Sequence, residues 1–239
     1  IEYEIGASSR VGFGGFYFHE LWQARHLLFF LVLKRMRVRY RPTLLRYAWI
    51  PLRPSLLGAI YFFVFGFLLQ VKTEPIPFPI FIFSGIILYL FLSGAVSDTA
   101  NSLISSSDII KKVYFPRLLI PLSSLIVHLI DLIVTLLVLL VIMAWFKLFP
   151  GWNLALLPIS LFGVLLLSLS LGMIFAAVSI KSHDILQALP LFMRILIYAV
   201  PCAYPISLVP ESYRGIYLLN PFAVYFQLYR WSLFDDWSP

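Results

Sequence analysis

Five apolar stretches, most of them long enough for a helix that crosses a membrane, fill most of this chain, and a dense basic run (KRMRVRYRPTLLRYAW, Lys34 to Trp49) stands just before the first. A helix of about 20 residues without water-seeking side chains spans the hydrocarbon core of a bilayer. Helices and closed barrels are the two forms that satisfy their backbone hydrogen bonds inside lipid. Charged residues are only 12% of the chain and hydrophobic ones 61%, well away from the quarter charged of an ordinary soluble domain. The sequence therefore predicts an all-α integral membrane protein that crosses the bilayer several times, as one domain over residues 1–239.

Residues 1–16 hold four glycines and read as a loop. Over about residues 17–41, Leu21, Leu28 and Val32, with Trp22, Phe29, Leu33 and Met36, recur at helical spacing. The apolar part of that segment is too short to span, and basic residues follow at once. An amphipathic helix lying in the interface fits, with its Lys and Arg stems snorkelling to water. Spans are then expected at 55–71, 80–96, 118–145, 154–180 and 185–208, the last interrupted by Pro190, Pro201 and Pro205. Pro210, Gly215 and Pro221 break the aromatic segment 210–239 too often for one continuous span, so short helices that re-enter the external leaflet are expected there. An interfacial anchor is the alternative.

Charge placement sets the expected orientation. Of 18 Lys and Arg residues, nine precede Pro54, and 13 fall in segments assigned to the cytoplasm against four outside. The positive-inside rule thus puts the N-terminus in the cytoplasm, facing the headgroups of membrane lipids. The formal charge of +7 does not point to nucleic acid, because no soluble module remains to carry it. Cys202 is the sole cysteine, which excludes an intrachain disulfide and a cysteine-rich metal site. Ile1 is not preceded by a cleavable signal pattern, and the missing Met suggests a chain incomplete at its start.

Three groups of residues stand out. Ser105 to Asp108, Ile109 and Ile110, then Lys111 and Lys112 read either as a short amphipathic helix that docks in a partner's groove or as a solvated loop. His128 and Asp131 share one helical face of the third span, and Arg194 lies in the fifth. Charges in lipid are costly, so they serve either in structural pairing, with Asp131 and Arg194 as the expected partners, or in a substrate path. Aromatic residues, at 17% of the chain and including Tyr61, Tyr198, Tyr204, Tyr217, Phe222, Tyr225 and Tyr229, read as lipid-facing or interfacial anchors. Ser168, Gly172 and Ala176, four apart, read as helix packing.

DIIKKVYFPR (Asp108 to Arg117), with Pro121 shortly after, resembles the cytoplasmic segment of ABC transporter permeases that export polysaccharides, of the O-antigen, capsular and teichoic acid type. The resemblance extends to ELWQARHLLFFLVLKRMRVRYRPTLLRYAW (Glu20 to Trp49), AYPISLVP (Ala203 to Pro210) and LLNPF (Leu218 to Phe222). Arg46 stands where that family usually has Gly, and Pro42 where it has a polar residue. The resemblance implies a homodimer flanked by two separate ATPase subunits, a sixth span not contained in this sequence, and a coupling helix over 104–112. Ile104, Asp108, Ile109, Lys111 and Lys112 would there receive the ATPase's movement, and in such an exporter Tyr61, Tyr198, Tyr204, Tyr217, Phe222, Tyr225 and Tyr229 would be the channel or gate candidates, offering flat faces to sugar rings. No G-x-x-x-x-G-K-[ST] loop is present, so no cofactor is expected in this chain and ATP with Mg would belong to the partner.

These readings converge on a multi-pass subunit of the bacterial cytoplasmic (inner) membrane that exports a lipid-linked polysaccharide, with no catalytic or metal residues of its own. Two rivals remain: a related ABC permease for drugs or lipids, and an intramembrane glycosyl or phosphate transferase. The second would need clustered acids, histidines or metal ligands. The four histidines, at positions 19, 26, 128 and 183, are scattered.

Overall fold

One helix organises the molecule. In the computed structural model, which describes residues 21–40, 46–71, 73, 76–107, 115–180, 182, 184–202, 204–208 and 210–234, a 28-residue helix from Phe78 to Ser105 runs through the centre. Around it, in chain order, stand α1 (Arg25–Tyr40), α2 (Trp49–Tyr61), the central α3, α4 (Leu119–Trp145), α5 (Leu157–Ser179), α6 (Asp184–Ala199), α7 (Glu211–Leu218) and α8 (Pro221–Leu233). No strand occurs among the described residues. Four helical stretches are long and apolar enough to cross a membrane: Trp49–Leu68, Phe78–Ser105, Leu119–Trp145 and Trp152–Ser179.

The central position of α3 follows from its side chains. Ten consecutive residues from Ile80 to Tyr89 are buried, and lipid offers no hydrophobic force to draw helices together, so close fit must do it. Gly85 supplies one such fit, since a Cβ there would collide with the carbonyl of Cys202. Gly94 supplies another, where a Cβ would strike the ring of His128. Gly172, on the buried small face of α5 with Ser168 and Ala176, lies against Thr99 of α3. Buried hydroxyls mostly answer to their own helices: Ser84 donates to Phe81 O, Ser102 to Thr99 O, Ser160 to Leu157 O and Ser168 to Val164 O.

Several element boundaries differ from expectation for physical reasons. The first apolar helix begins at Trp49, ahead of Pro51 and Pro54, and ends as a π-helix over Phe62–Leu68. Pro51 lies in the first turn, where no intrahelical N–H bond is lost, and Ser55 Oγ donates to the Pro51 carbonyl at 2.7 Å. The expected second span stopped at residue 96, but α3 continues to Ser105 because Thr99, Ala100 and Ser102 are buried. The fifth expected span divides. Helix α6 is 16 residues long, roughly 24 Å at 1.5 Å per residue against about 30 Å of hydrocarbon. It ends in a turn at Val200–Cys202 containing Pro201. Beyond it, α7 and α8 lie on either side of Leu219–Asn220, and Asn220 caps α8 by accepting from Phe222 N at 3.1 Å.

Candidate functional site

Two polar constellations lie at opposite ends of α3. At the C-terminal end, α1 packs against α4 through charged groups. Arg35 Nε donates to Ser123 Oγ at 2.9 Å and Nη2 to Ser106 Oγ at 3.5 Å. One turn on, Arg39 Nη1 lies 3.4 Å from Asp98 Oδ2 and 3.1 Å from His128 Nε2, while Nη2 lies 3.5 Å from Asp131 Oδ2. Tyr40 then donates its phenol to Asp131 Oδ1 at 2.5 Å. The contacts advance along both helices in the same sense, so α1 runs beside the first half of α4.

The cluster is internally matched. Asp98 sits 2.7 Å from His128 Nε2 as well as beside Arg39. Gly94, one turn before Asp98, makes the room for that imidazole. Burial pushes the Tyr40 phenol well above its ordinary value, and its hydrogen bond to Asp131 adds to the shift. Burial lowers the Arg35 guanidinium, with Asp98 working the other way. Charged hydrogen bonds of this kind are the strong ones, so the cluster ties α1, α3 and α4 into one unit.

Arg194, expected to pair with Asp131, is exposed on α6 and makes no hydrogen bond or ion pair among the described residues. Asp131 takes Tyr40 and Arg39 instead because α1 lies against α4, which brings the basic segment to it. The reading of His128 and Asp131 as neighbours on one face stands, with Arg39 between them.

At the N-terminal end of α3, Arg230 of α8 is completely buried. Its Nη1 donates to the Pro201 carbonyl and its Nη2 to the carbonyls of Cys202, at 2.6 Å, and Phe81, at 3.5 Å. The guanidinium lies 3.6 Å from the Phe81 ring centroid. Nearby, Asn220 Nδ2 donates to Ala199 O at 3.0 Å. A helix end leaves its last carbonyls without intrahelical partners. Here two side chains from the following hairpin satisfy the broken end of α6.

The candidate channel aromatics divide. Tyr204 donates to the Tyr198 carbonyl at 2.6 Å and shares a 2.9 Å hydroxyl contact with Tyr217, and Tyr61 stands beside Tyr198 while stacking on Phe65. Phe222 and Tyr225 are half-buried, Tyr225 over Gly163 of α5. Tyr229 has no exposed surface, which removes it from any wall a passing chain would touch in this conformation. Of the coupling candidates, Ile104 forms part of the last turn of α3, whereas Asp108, Ile109, Lys111 and Lys112 lie outside the described residues. No group of three or more metal-ligating side chains occurs among the described residues.

Sequence reasoning missed Arg35, Arg39, Tyr40 and Asp98 as site residues, and Arg230 and Asn220 as helix caps. The i, i+3 pair His128 and Asp131 was the one available signal for the first group, since two polar side chains on an apolar face require partners.

Comparison with known proteins agrees over almost the whole chain. The chain is 29% identical over 223 residues to an O-antigen export system permease protein, RfbA, of Myxococcus xanthus, covering 92% of this chain and 85% of that protein. It is 27% identical over 201 residues to the RfbA of Klebsiella pneumoniae, covering 82% and 76%. It is 24% identical over 205 residues to the polysialic acid transport protein KpsM of Escherichia coli, covering 84% and 78%. With residues 27–234 matching the family as a whole, the chain belongs to the ABC-2 type transporter family.

Proposed function

We propose that this chain is the membrane-spanning subunit of an ATP-driven exporter that moves a lipid-linked polysaccharide across the bacterial cytoplasmic membrane. The observation that carries this reading is the similarity, over more than four-fifths of the chain, to permeases whose names specify O-antigen and polysialic acid. The chain supplies the path, and ATP with Mg is held by two separate ATPase subunits. Two copies of the permease form the path between them.

In this reading the Arg39 end faces the cytoplasm, which the basic residues of α1 support. The permease comprises an interfacial helix within 17–41, membrane-crossing helices over Trp49–Leu68, Phe78–Ser105, Leu119–Trp145 and Trp152–Ser179, the shorter α6 in place of the span expected at 185–208, and re-entrant helices α7 and α8 within 210–239. Residues 104–112 couple to the ATPase, and the Tyr61, Tyr198, Tyr204 and Tyr217 group stands at the external mouth. Flat aromatic faces tolerate sliding better than fixed hydrogen bonds do, which suits a polymer.

The test is deletion of the gene followed by analysis of the glycan left inside. A lipid-linked polysaccharide should accumulate at the cytoplasmic face and be exported again when the permease and its ATPase are restored together. Normal surface glycan in the deletion strain, with export of a drug or lipid lost instead, would overturn the reading.

A further inference from the structure

Two adjoining cavities open beside the Arg39 cluster. The smaller, about 220 Å³, is bordered by Trp49, Arg53 and Asp131, and the larger, about 620 Å³, by Lys34, Arg35 and Asn101. Arg39, Arg53, Gly94 and His128 border both, so the two form one recess between α1, the start of α2, α3 and α4.

The charge around this recess does not balance. Among the described residues, Lys34, Arg35, Arg39 and Arg53 face Asp98 and Asp131, four cations against two carboxylates. Both carboxylates are already engaged on the wall, Asp98 by His128 and Arg39, and Asp131 by Tyr40 and Arg39. Arg35 donates to the hydroxyls of Ser123 and Ser106, which are neutral, and shares Asp98 with Arg39 at longer range. Lys34 and Arg53 are exposed at the opening and form no ion pair among the described residues. A half-enclosed recess with two surplus positive charges is matched by an anion of about two charges with several acceptor oxygens. Phosphate meets that requirement, and a guanidinium fork binds it through two parallel hydrogen bonds. Beside the charged groups the larger cavity is lined mostly by polar residues such as Asn101 and Ser124, whereas the smaller carries an apolar wall that includes Ile87, Leu90, Phe91 and Leu132, which suits a ligand with a hydrocarbon chain attached to its polar head.

We infer that this recess binds the phosphoryl headgroup of a lipid, with Lys34 and Arg53 as direct ligands and Arg35 and Arg39 behind them. The phosphoryl group has two sources. A diphosphate that carries a glycan rests on the export reading above, whereas a bilayer phospholipid does not.

Native mass spectrometry of the permease with its ATPase, in non-ionic detergent, separates the cases. The probes are farnesyl diphosphate, phosphatidylglycerol and uncharged farnesol. A phosphoryl lipid should bind saturably and farnesol should not. The double variant Lys34→Gln with Arg53→Gln should weaken binding by about tenfold or more, Arg53→Lys should retain part of it, and Arg214→Gln at the other end should change nothing. Preference for the diphosphate assigns the recess to a glycan carrier, and equal binding of phosphatidylglycerol assigns it to the bilayer; either result sustains the site. Equal binding of both phosphoryl lipids to wild type and double variant would overturn it, as would no binding to either. Loss of binding in the double variant without loss of glycan export would separate the recess from the export reading, which the deletion experiment tests independently.

Discussion

Across 28 residues of sequence, the Nη2 of Arg230 on α8 donates to the backbone carbonyl of Cys202 at 2.6 Å, and so closes the break at which α6 ends. The same guanidinium serves Pro201 and Phe81. Removing it takes the donor from the buried carbonyls of Pro201 and Cys202, each worth roughly 1 kcal/mol or more, whereas the Phe81 carbonyl keeps Ser84 Oγ. Arg230→Ala should therefore lose on the order of 2 kcal/mol, or about 4–8 °C in thermal unfolding in detergent. Arg230→Lys should recover less than half, because one ammonium cannot reach carbonyls that diverge. An unchanged melting temperature for Arg230→Ala would show that the caps carry no stability.

The Tyr40–Asp131 contact, at 2.5 Å, should appear as coupling in a double-mutant cycle. Tyr40→Phe and Asp131→Asn, singly and together, are expected to give about 1–2 kcal/mol of interaction energy in denaturant unfolding. The phenol is raised above its ordinary value of 10.0, so this contribution is complete below pH 10 and is lost only as pH climbs through the higher folded value. Additive single mutants would remove the bond from the stability account.

Gly85 and Gly215 should respond oppositely to alanine. At Gly85 the new methyl meets the Cys202 backbone and the Arg230 side chain, whereas at Gly215 nothing lies within 4 Å. Gly85→Ala should cost about 1–3 kcal/mol through overpacking. Gly215→Ala, in the helix α7, should gain up to about 1 kcal/mol. Thermal unfolding of the two variants side by side measures the contrast.

Orientation can be read with an impermeant thiol reagent in a Cys202→Ser background. Thr73 is a poor reporter because it is 5% exposed, whereas Phe149 at 76% and Val38 at 70% are open. Phe149→Cys should label on intact cells and Val38→Cys only after permeabilisation. Labelling of both from outside would overturn the proposed topology, and labelling of Val38→Cys alone would reverse it.

The coupling segment has a separate readout. Ile109→Pro should abolish glycan export and stimulated ATP hydrolysis while leaving membrane insertion and the melting temperature of the permease unchanged. Export at the wild-type rate would take residues 104–112 out of the coupling path.

Apolar runs without interruption are where sequence and helix correspond most directly. The third and fourth stretches, expected at 118–145 and 154–180, are helical over Leu119–Trp145 and Leu157–Ser179. Where polar residues face a neighbouring helix, hydropathy misleads. Thr99 and Ser102 read as loop but are buried in α3. The Arg39 cluster was hidden for a related reason: the partners in its contacts lie 30 to 92 residues apart, and a basic segment beside a membrane reads first as a headgroup contact. Arg230 likewise read as an external charge among aromatics, and nothing in its local sequence marks it as the cap of a helix that ends 31 residues earlier.

The central helix also limits how the protein can move. Phe81 lies against Arg230 near one end of α3, and Asp98 joins the Arg39 cluster near the other. Seventeen residues separate them, roughly 26 Å of helix, with no proline between. A hydrogen-bonded rod of that length neither stretches nor shortens appreciably. The two clasps therefore share one stroke: to shift one of them relative to the other, α3 must bend or a clasp must let go.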